Sequence, residues 1–225
     1  MSKNNINNQV NSRKRVADHG EVFTSVREVN AMLDLVKQET LRIDSRFLEP
    51  ACGTGNFLVE ILGRKLDIVK KKYLKNQIEF ERYAILALTS IYGVDILQDN
   101  VQTCRDRLLG IFTSYYLDNY KKKFKPELLR VAEFILMKNI IWGDALSLKT
   151  PDEKAEPIIF SEWSATNGSM IKRRDFTLAN LLENQMIDGL NLFSDLGDQA
   201  FIPKPVTEYP LTHFLKLNKN DKNKL

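Results

Sequence analysis

The chain has little cysteine, little histidine and no long apolar run. Its two cysteines, Cys52 and Cys104, have no His or Cys neighbour at ligand spacing, so they do not make a zinc site and no metal is expected. His19, one of two histidines, stands alone in a polar stretch, where a histidine is ordinary surface. No apolar run approaches the roughly 20 residues that span a bilayer, and the opening Met1-Ser2-Lys3-Asn4-Asn5 lacks the apolar core of a signal peptide. A cytoplasmic protein with no membrane partner is therefore expected. The excess of one charge sign is small too. The formal surplus is +4, which permits nucleic-acid binding without requiring it.

What is present suits one medium-sized globular domain: 225 residues, 43% of them hydrophobic. Residues 1–17 are polar, rich in Asn, carry Arg13, Lys14 and Arg15, and read as a flexible arm. Residues 18–217 read as the domain and 218–225 as a frayed tail. Within the domain the most informative stretch is Phe47-Leu48-Glu49-Pro50-Ala51-Cys52-Gly53-Thr54-Gly55-Asn56-Phe57. A short apolar strand leads into a turn of small residues, and Leu58, Val59, Ile61 and Leu62 then restart at helical spacing. A strand, a glycine turn and a helix make an anion- or nucleotide-binding corner, because glycine lets a ligand touch backbone and free N–H groups open the helix.

Two further strands end in an acid. Ser90-Ile91-Tyr92-Gly93-Val94-Asp95-Ile96 is one, and Asn139-Ile140-Ile141-Trp142-Gly143-Asp144-Ala145-Leu146 is the other. A carboxylate at a strand's C-terminal end can accept hydrogens from ribose hydroxyls. Upstream, Thr24 or Ser25 caps a helix whose Val26, Val29, Leu33 and Val36 share a face, and Glu28 completes a capping box with Ser25. Amphipathic helices follow over 58–90, 99–118 and Pro126–Met137. Lys70, Lys71 and Lys72 read as an exposed helical face, and Lys121, Lys122 and Lys123 as a basic loop or helix end.

These strings resemble four motifs of S-adenosylmethionine-dependent DNA adenine-N6 methyltransferases of restriction–modification systems. They stand in the order of the group whose tenth motif comes first, and span roughly residues 19–146. The resemblance implies a Rossmann-like α/β fold, with a mostly parallel sheet and helices on both faces. It implies S-adenosylmethionine as cofactor and DNA as partner. Phe23 and Thr24 would line the methionine end of the pocket, where Glu49, Pro50, Ala51, Gly53 and Gly55 hold that part of the cofactor. Asp95 would take the ribose, with Ile96 on the adenine ring. Asp144 would accept from the adenine amino group, with Ala145 and Leu146 packing beside it. The chain departs from the family at Ser25, where proline is usual, and in the spacing of about 40 residues between turn and Asp95, against roughly 20 in dinucleotide folds.

The resemblance stops where the acceptor should be handled. Amino-group DNA methyltransferases carry a strand ending in Asp, Asn or Ser, then Pro-Pro and an aromatic residue. Those groups accept hydrogens from a weakly nucleophilic amine and stack on the flipped base. No Pro-Pro pair occurs in this chain. By position, Ser161 and Trp163 would be the catalytic counterparts, and Lys172, Arg173 and Arg174 would hold a phosphate backbone near Trp163. Three readings stay open: an adenine methyltransferase or its cofactor-binding part, completed by a second chain; a non-catalytic relative that binds a partner; and a methyltransferase for another acceptor.

Overall fold

The computed structural model describes residues 15, 24–166, 168–182, 204–219 and 221. Phe23 and His19 lie outside them, as do most of the arm and all of the stretch from 183 to 203. Helix α1 (Val26–Leu35) opens with the expected capping box, Ser25 and Glu28 each bonding the other's backbone N–H. A single turn, α2 (Lys37–Thr40), leads to strand β1 (Phe47–Glu49). Then follow α3 (Asn56–Tyr73), α4 (Gln77–Thr89), β2 (Ile91–Asp95), α5 (Gln98–Tyr120), a 3-10 turn at Lys121–Lys123, α6 (Pro126–Asn139) and β3 (Ile140–Trp142). These three strands pair in parallel in the order β1-β2-β3.

That order advances in one direction across the sheet. Right-handed crossovers then deliver every connecting helix to one face. Ile91 and Ile140 pack there with Leu58, Leu62, Ile85, Leu108 and Ile135. The other face carries Tyr92 and Val94, and among the described residues no crossover helix lies on it; β4 and a helical stretch at 178–182 lie there instead. Ile158, Phe160 and Leu178 cover it. Phe160 belongs to β4 (Ile159–Ala165), which pairs antiparallel with β5 (Met170–Thr177). Two short strands, β6 (Thr207–Glu208) and β7 (Thr212–His213), pair antiparallel with β5. A mostly parallel sheet with helices on both faces is thus corrected to a three-stranded parallel sheet, helical on one face, with an antiparallel sheet on the other. The reason is the missing return half: only strands added beyond β1 would send helices to the second face.

The end of the chain differs from the sequence reading as well. After β7 the chain turns into a 3-10 helix over Phe214–Lys219 that buries Phe214 and Leu217. Asn218 and Lys219 of the expected frayed tail close that helix, and Asp221 pairs with Lys138 at 2.8 Å and Arg173 at 3.5 Å. At the other end, the Arg15 guanidinium donates to Asp99 and to Asn100.

One buried cation anchors the base of the parallel sheet. Lys65 of α3 is 0% exposed and makes no ion pair among the described residues. It donates to the Ile43 and Ser45 carbonyls and to Ser90 Oγ, and lies over the Phe47 ring. Burial pushes its pKa down to about 7. In the window from about 7 to 10.5 the unfolded chain then binds more protons than the folded one, so this residue makes stability rise with pH, by up to about 1.4 kcal/mol per pH unit. Urea unfolding across that window should show the rise in the native protein and its loss in Lys65→Met. Parallel pH profiles of the two proteins would refute it.

Candidate functional site

Asparagine, glycine and acid meet at the C-terminal ends of the three parallel strands. The turn after β1 is pinned from three sides. The Cys52 N–H donates to the Val94 carbonyl at 2.9 Å, and the Gly55 N–H to the Cys52 carbonyl at 2.8 Å. Gly53 and Gly55 hold φ of 51° and 86°, a region that strains other L-residues. Gly55 has a second reason to lack a side chain: a Cβ there would lie 2.5 Å from Cys104 Sγ on α5. Both cysteines are free and buried, and the Cys52 thiol is pushed up by its hydrogen bond with Cys104 and by burial, so both act as packing.

Around this turn lies a cavity of about 620 Å³. Of the expected cofactor residues, Thr24, Glu49, Pro50, Ala51, Gly53, Asp95, Ile96, Asp144, Ala145 and Leu146 line it. Gly55 shapes the turn from behind, and Phe23 lies outside the described residues. The three carboxylates differ in state and freedom. Burial pushes Glu49 upward, only partly offset by the Ala51 N–H. Asp144 is held below its usual range by the Leu146 N–H, which donates to Oδ1 at 2.9 Å. Asp95 is largely engaged by the protein itself. It accepts from the Gly53 N–H at 2.8 Å, the Leu97 N–H at 2.9 Å and Asn100 Nδ2 at 3.2 Å. A carboxylate has about four acceptor positions, so roughly one remains.

Asn56, Asn100 and Arg107 also belong here, and sequence reasoning missed them. Arg107 Nη1 donates to the Thr54 carbonyl at 2.6 Å and to Asn56 Oδ1 at 2.8 Å. Asn56 Nδ2 in turn donates to the Thr24 carbonyl at 2.9 Å, tying the segment before α1 to the glycine turn. The available signal was a stripe: Asn100, Cys104 and Arg107 share one face of α5. Two polar groups on a face that is otherwise core mark something polar opposite.

The structure places the expected acceptor-side residues away from the cavity. Ser161 and Trp163 do not line the cavity. Ser161 is buried in β4, where its hydroxyl donates to Asp175 Oδ1 at 2.7 Å and accepts from Arg173 Nε at 3.0 Å. Trp163 is buried too, donating to Asn139 Oδ1 at 2.9 Å and packing edge-on to Phe134. Neither can reach a base. Arg173 is 4% exposed, bonds both Asp175 oxygens and lies 4.0 Å from the Tyr209 ring centre. Arg174 pairs with Glu162 at 2.8 Å and Lys172 with Glu208 at 3.2 Å. This basic run is consumed by the fold.

Residues 30–123 match the model of a family described as RMKL-like, methyltransferase domain. The match supports a methyltransferase and suggests a Rossmann-like fold over the glycine turn, β2 and α5. It spans less than half of the chain and ends before Asp144. No curated protein and no solved structure matches the chain.

The glycine turn makes its own test. Gly55→Ala should destabilise by about 2–4 kcal/mol, from the left-handed backbone and the collision with Cys104 together. In a Cys104→Ala background the collision is relieved, and about 1–2 kcal/mol of backbone cost should remain. Equal costs in both backgrounds, read from denaturant midpoints, would contradict the packing account.

Proposed function

We propose that the cavity holds S-adenosylmethionine and that the chain is the cofactor-binding part of an adenine-N6 DNA methyltransferase whose acceptor-side elements come from a second chain. The observation that carries the reading is the line of Glu49, Asp95 and Asp144 at three successive strand ends around one cavity. Its 620 Å³ falls within the roughly 300–1,000 Å³ of small-ligand pockets. Glu49 accepts from the methionine ammonium, the remaining acceptor position of Asp95 from a ribose hydroxyl, and Asp144 from the adenine amino group. Ile96 and Leu146, 45% and 96% exposed, give the ring its apolar neighbours with Ala145. The bound cofactor supplies an electrophilic methyl group; the chain's part is to orient it.

Two features support a second chain. In this reading the three carboxylates of the cavity are committed to the cofactor, and Ser161 is buried elsewhere, so no described carboxylate or strand-end serine is left for an acceptor amine. And β1 is an open edge. In a parallel ladder alternate residues face the neighbour, so Phe47 and Glu49 face β2 while the N–H and carbonyl of Leu48 point outward, with no partner among the described residues. Doubly wound sheets continue past this strand. The burial of Ser161 and Trp163 favours a second reading, a binding protein that keeps the pocket and transfers nothing.

Calorimetric titration with S-adenosylmethionine and its demethylated product is expected to show micromolar binding. Asp144→Ala should weaken it ten- to a hundredfold, the effect of one contact of roughly 1.5–3 kcal/mol. Asp95→Ala should do so too, partly by freeing the Gly53 and Leu97 amides. A folded protein that binds neither ligand sinks the pocket reading. Methyl transfer to mixed DNA by this chain alone sinks the need for a second chain.

A pH test addresses Glu49 separately. Its pKa in the free protein is raised, so it protonates at a higher pH than ordinary glutamate as pH falls. Protonation removes the acceptor for the ammonium, so affinity should decline on acidification from above the usual carboxylate range. Glu49→Gln should bind weakly with a flat profile; a profile that keeps the native decline would place the titrating group elsewhere.

A further inference from the structure

The two lysine runs that sequence treats as separate solvated ends come together in space. Helices α3 and α5 both start at the cavity and run away from it. At 1.5 Å per residue, the last turn of α3 lies about 25 Å from the glycine turn. There the Tyr120 hydroxyl, ending α5, donates to the Leu74 carbonyl at 2.6 Å, and Gln77 Nε2 donates to the Lys123 carbonyl at 2.8 Å. Lys70, Lys71, Lys72 and Lys75 thereby join Lys121, Lys122 and Lys123 on one pole of the molecule. All seven are exposed, and none makes an ion pair among the described residues.

Helix ends alone do not account for so many cations. Each helix C-terminus offers about half a negative charge. With those two ends and the neighbouring Asp67 and Asp118 counted, about four positive charges remain uncompensated. The surface is also recessed, between Asp67, Lys70, Lys71, Lys72, Leu74 and Lys75.

We propose that this pole docks the phosphate backbone of a nucleic acid, at a site separate from the cavity and independent of the methyl-donor reading. A membrane surface fits less well: both helices meet the pole end-on, so no amphipathic face lies in its plane to enter the headgroup region. Ammonium groups read phosphate charge and carry no base information, so the binding is sequence-independent.

The test uses the full chain without methyl donor and a fluorescent duplex of mixed sequence, followed by anisotropy over a salt series. The logarithm of the binding constant should fall with that of salt, by about 0.9 per engaged phosphate. The triple variant Lys70→Gln/Lys71→Gln/Lys72→Gln should lose about tenfold or more in affinity and flatten the slope by about two to three. Lys121→Gln/Lys122→Gln/Lys123→Gln should do the same, while Lys172→Gln/Arg174→Gln should match the native protein. Native affinity and slope in both triple variants would overturn the assignment. So would failure to bind duplex by a chain that sediments with phosphatidylserine vesicles.

Discussion

The Asp95 carboxylate is the joint on which the site depends. It stands at the end of the central parallel strand and holds the Gly53 N–H from one neighbouring segment, the Leu97 N–H from the next loop and Asn100 from the first turn of α5. Its own carbonyl takes the Gly143 N–H at 3.0 Å, which brings in the segment after β3. Hydrogen bonds to a charged group contribute about 1.5–3 kcal/mol each. A neutral side chain here would loosen the glycine turn, the strand end and the start of α5 together, because they share one acceptor. Arg107 repeats the device further out, fixing Thr54 and Asn56 from the same helix.

The direction of winding decides the other half of the molecule. Once β1, β2 and β3 advance one way, handedness places the helices on one face and leaves Tyr92 and Val94 bare on the other. Strand β4 covers them, with Phe160 edge-on to Tyr92 and the Tyr92 hydroxyl donating to the Ser161 carbonyl at 3.1 Å. On a strand Ser161 and Trp163 then point to the opposite face of β4, where Arg173, Asp175 and Asn139 bury them. A buried serine between Arg173 and Asp175, and a buried tryptophan bonded to Asn139, serve packing and leave nothing for an acceptor base.

Local pattern carried what sequence reading recovered. Strand, glycine turn and helix are neighbours in the chain, and a strand that ends in an acid is visible within seven residues. The pairing of residues 159–177 was not visible, because it depends on which face the helices leave open. The pairing of the basic run was hidden for a related reason. On a strand, Ile171, Arg173 and Asp175 share one face and Lys172 and Arg174 the other. Arginine and aspartate two apart on a buried face satisfy each other, while a linear count of charge sees only density. The opposite error hid the lysines at the end of α3 and just after α5, which are about 50 residues apart in sequence and are brought together by bonds such as those of Tyr120 and Gln77.

The same two helices give the molecule its polarity. Their N-termini, with positive dipole ends, open on the cavity; their C-termini carry the lysines. Within the cavity the carboxylates are graded. Asp144 has the Leu146 N–H to stabilise its charge, whereas Glu49 is desolvated with little compensation. A buried carboxyl regains its charge when a cation is set beside it. The Glu49 end therefore favours a cationic group, which offsets that burial, and the Asp144 end needs only a neutral donor. A ligand with an ammonium at one extremity and an amino-bearing ring at the other would be favoured in one orientation, set by which carboxylate is the less compensated.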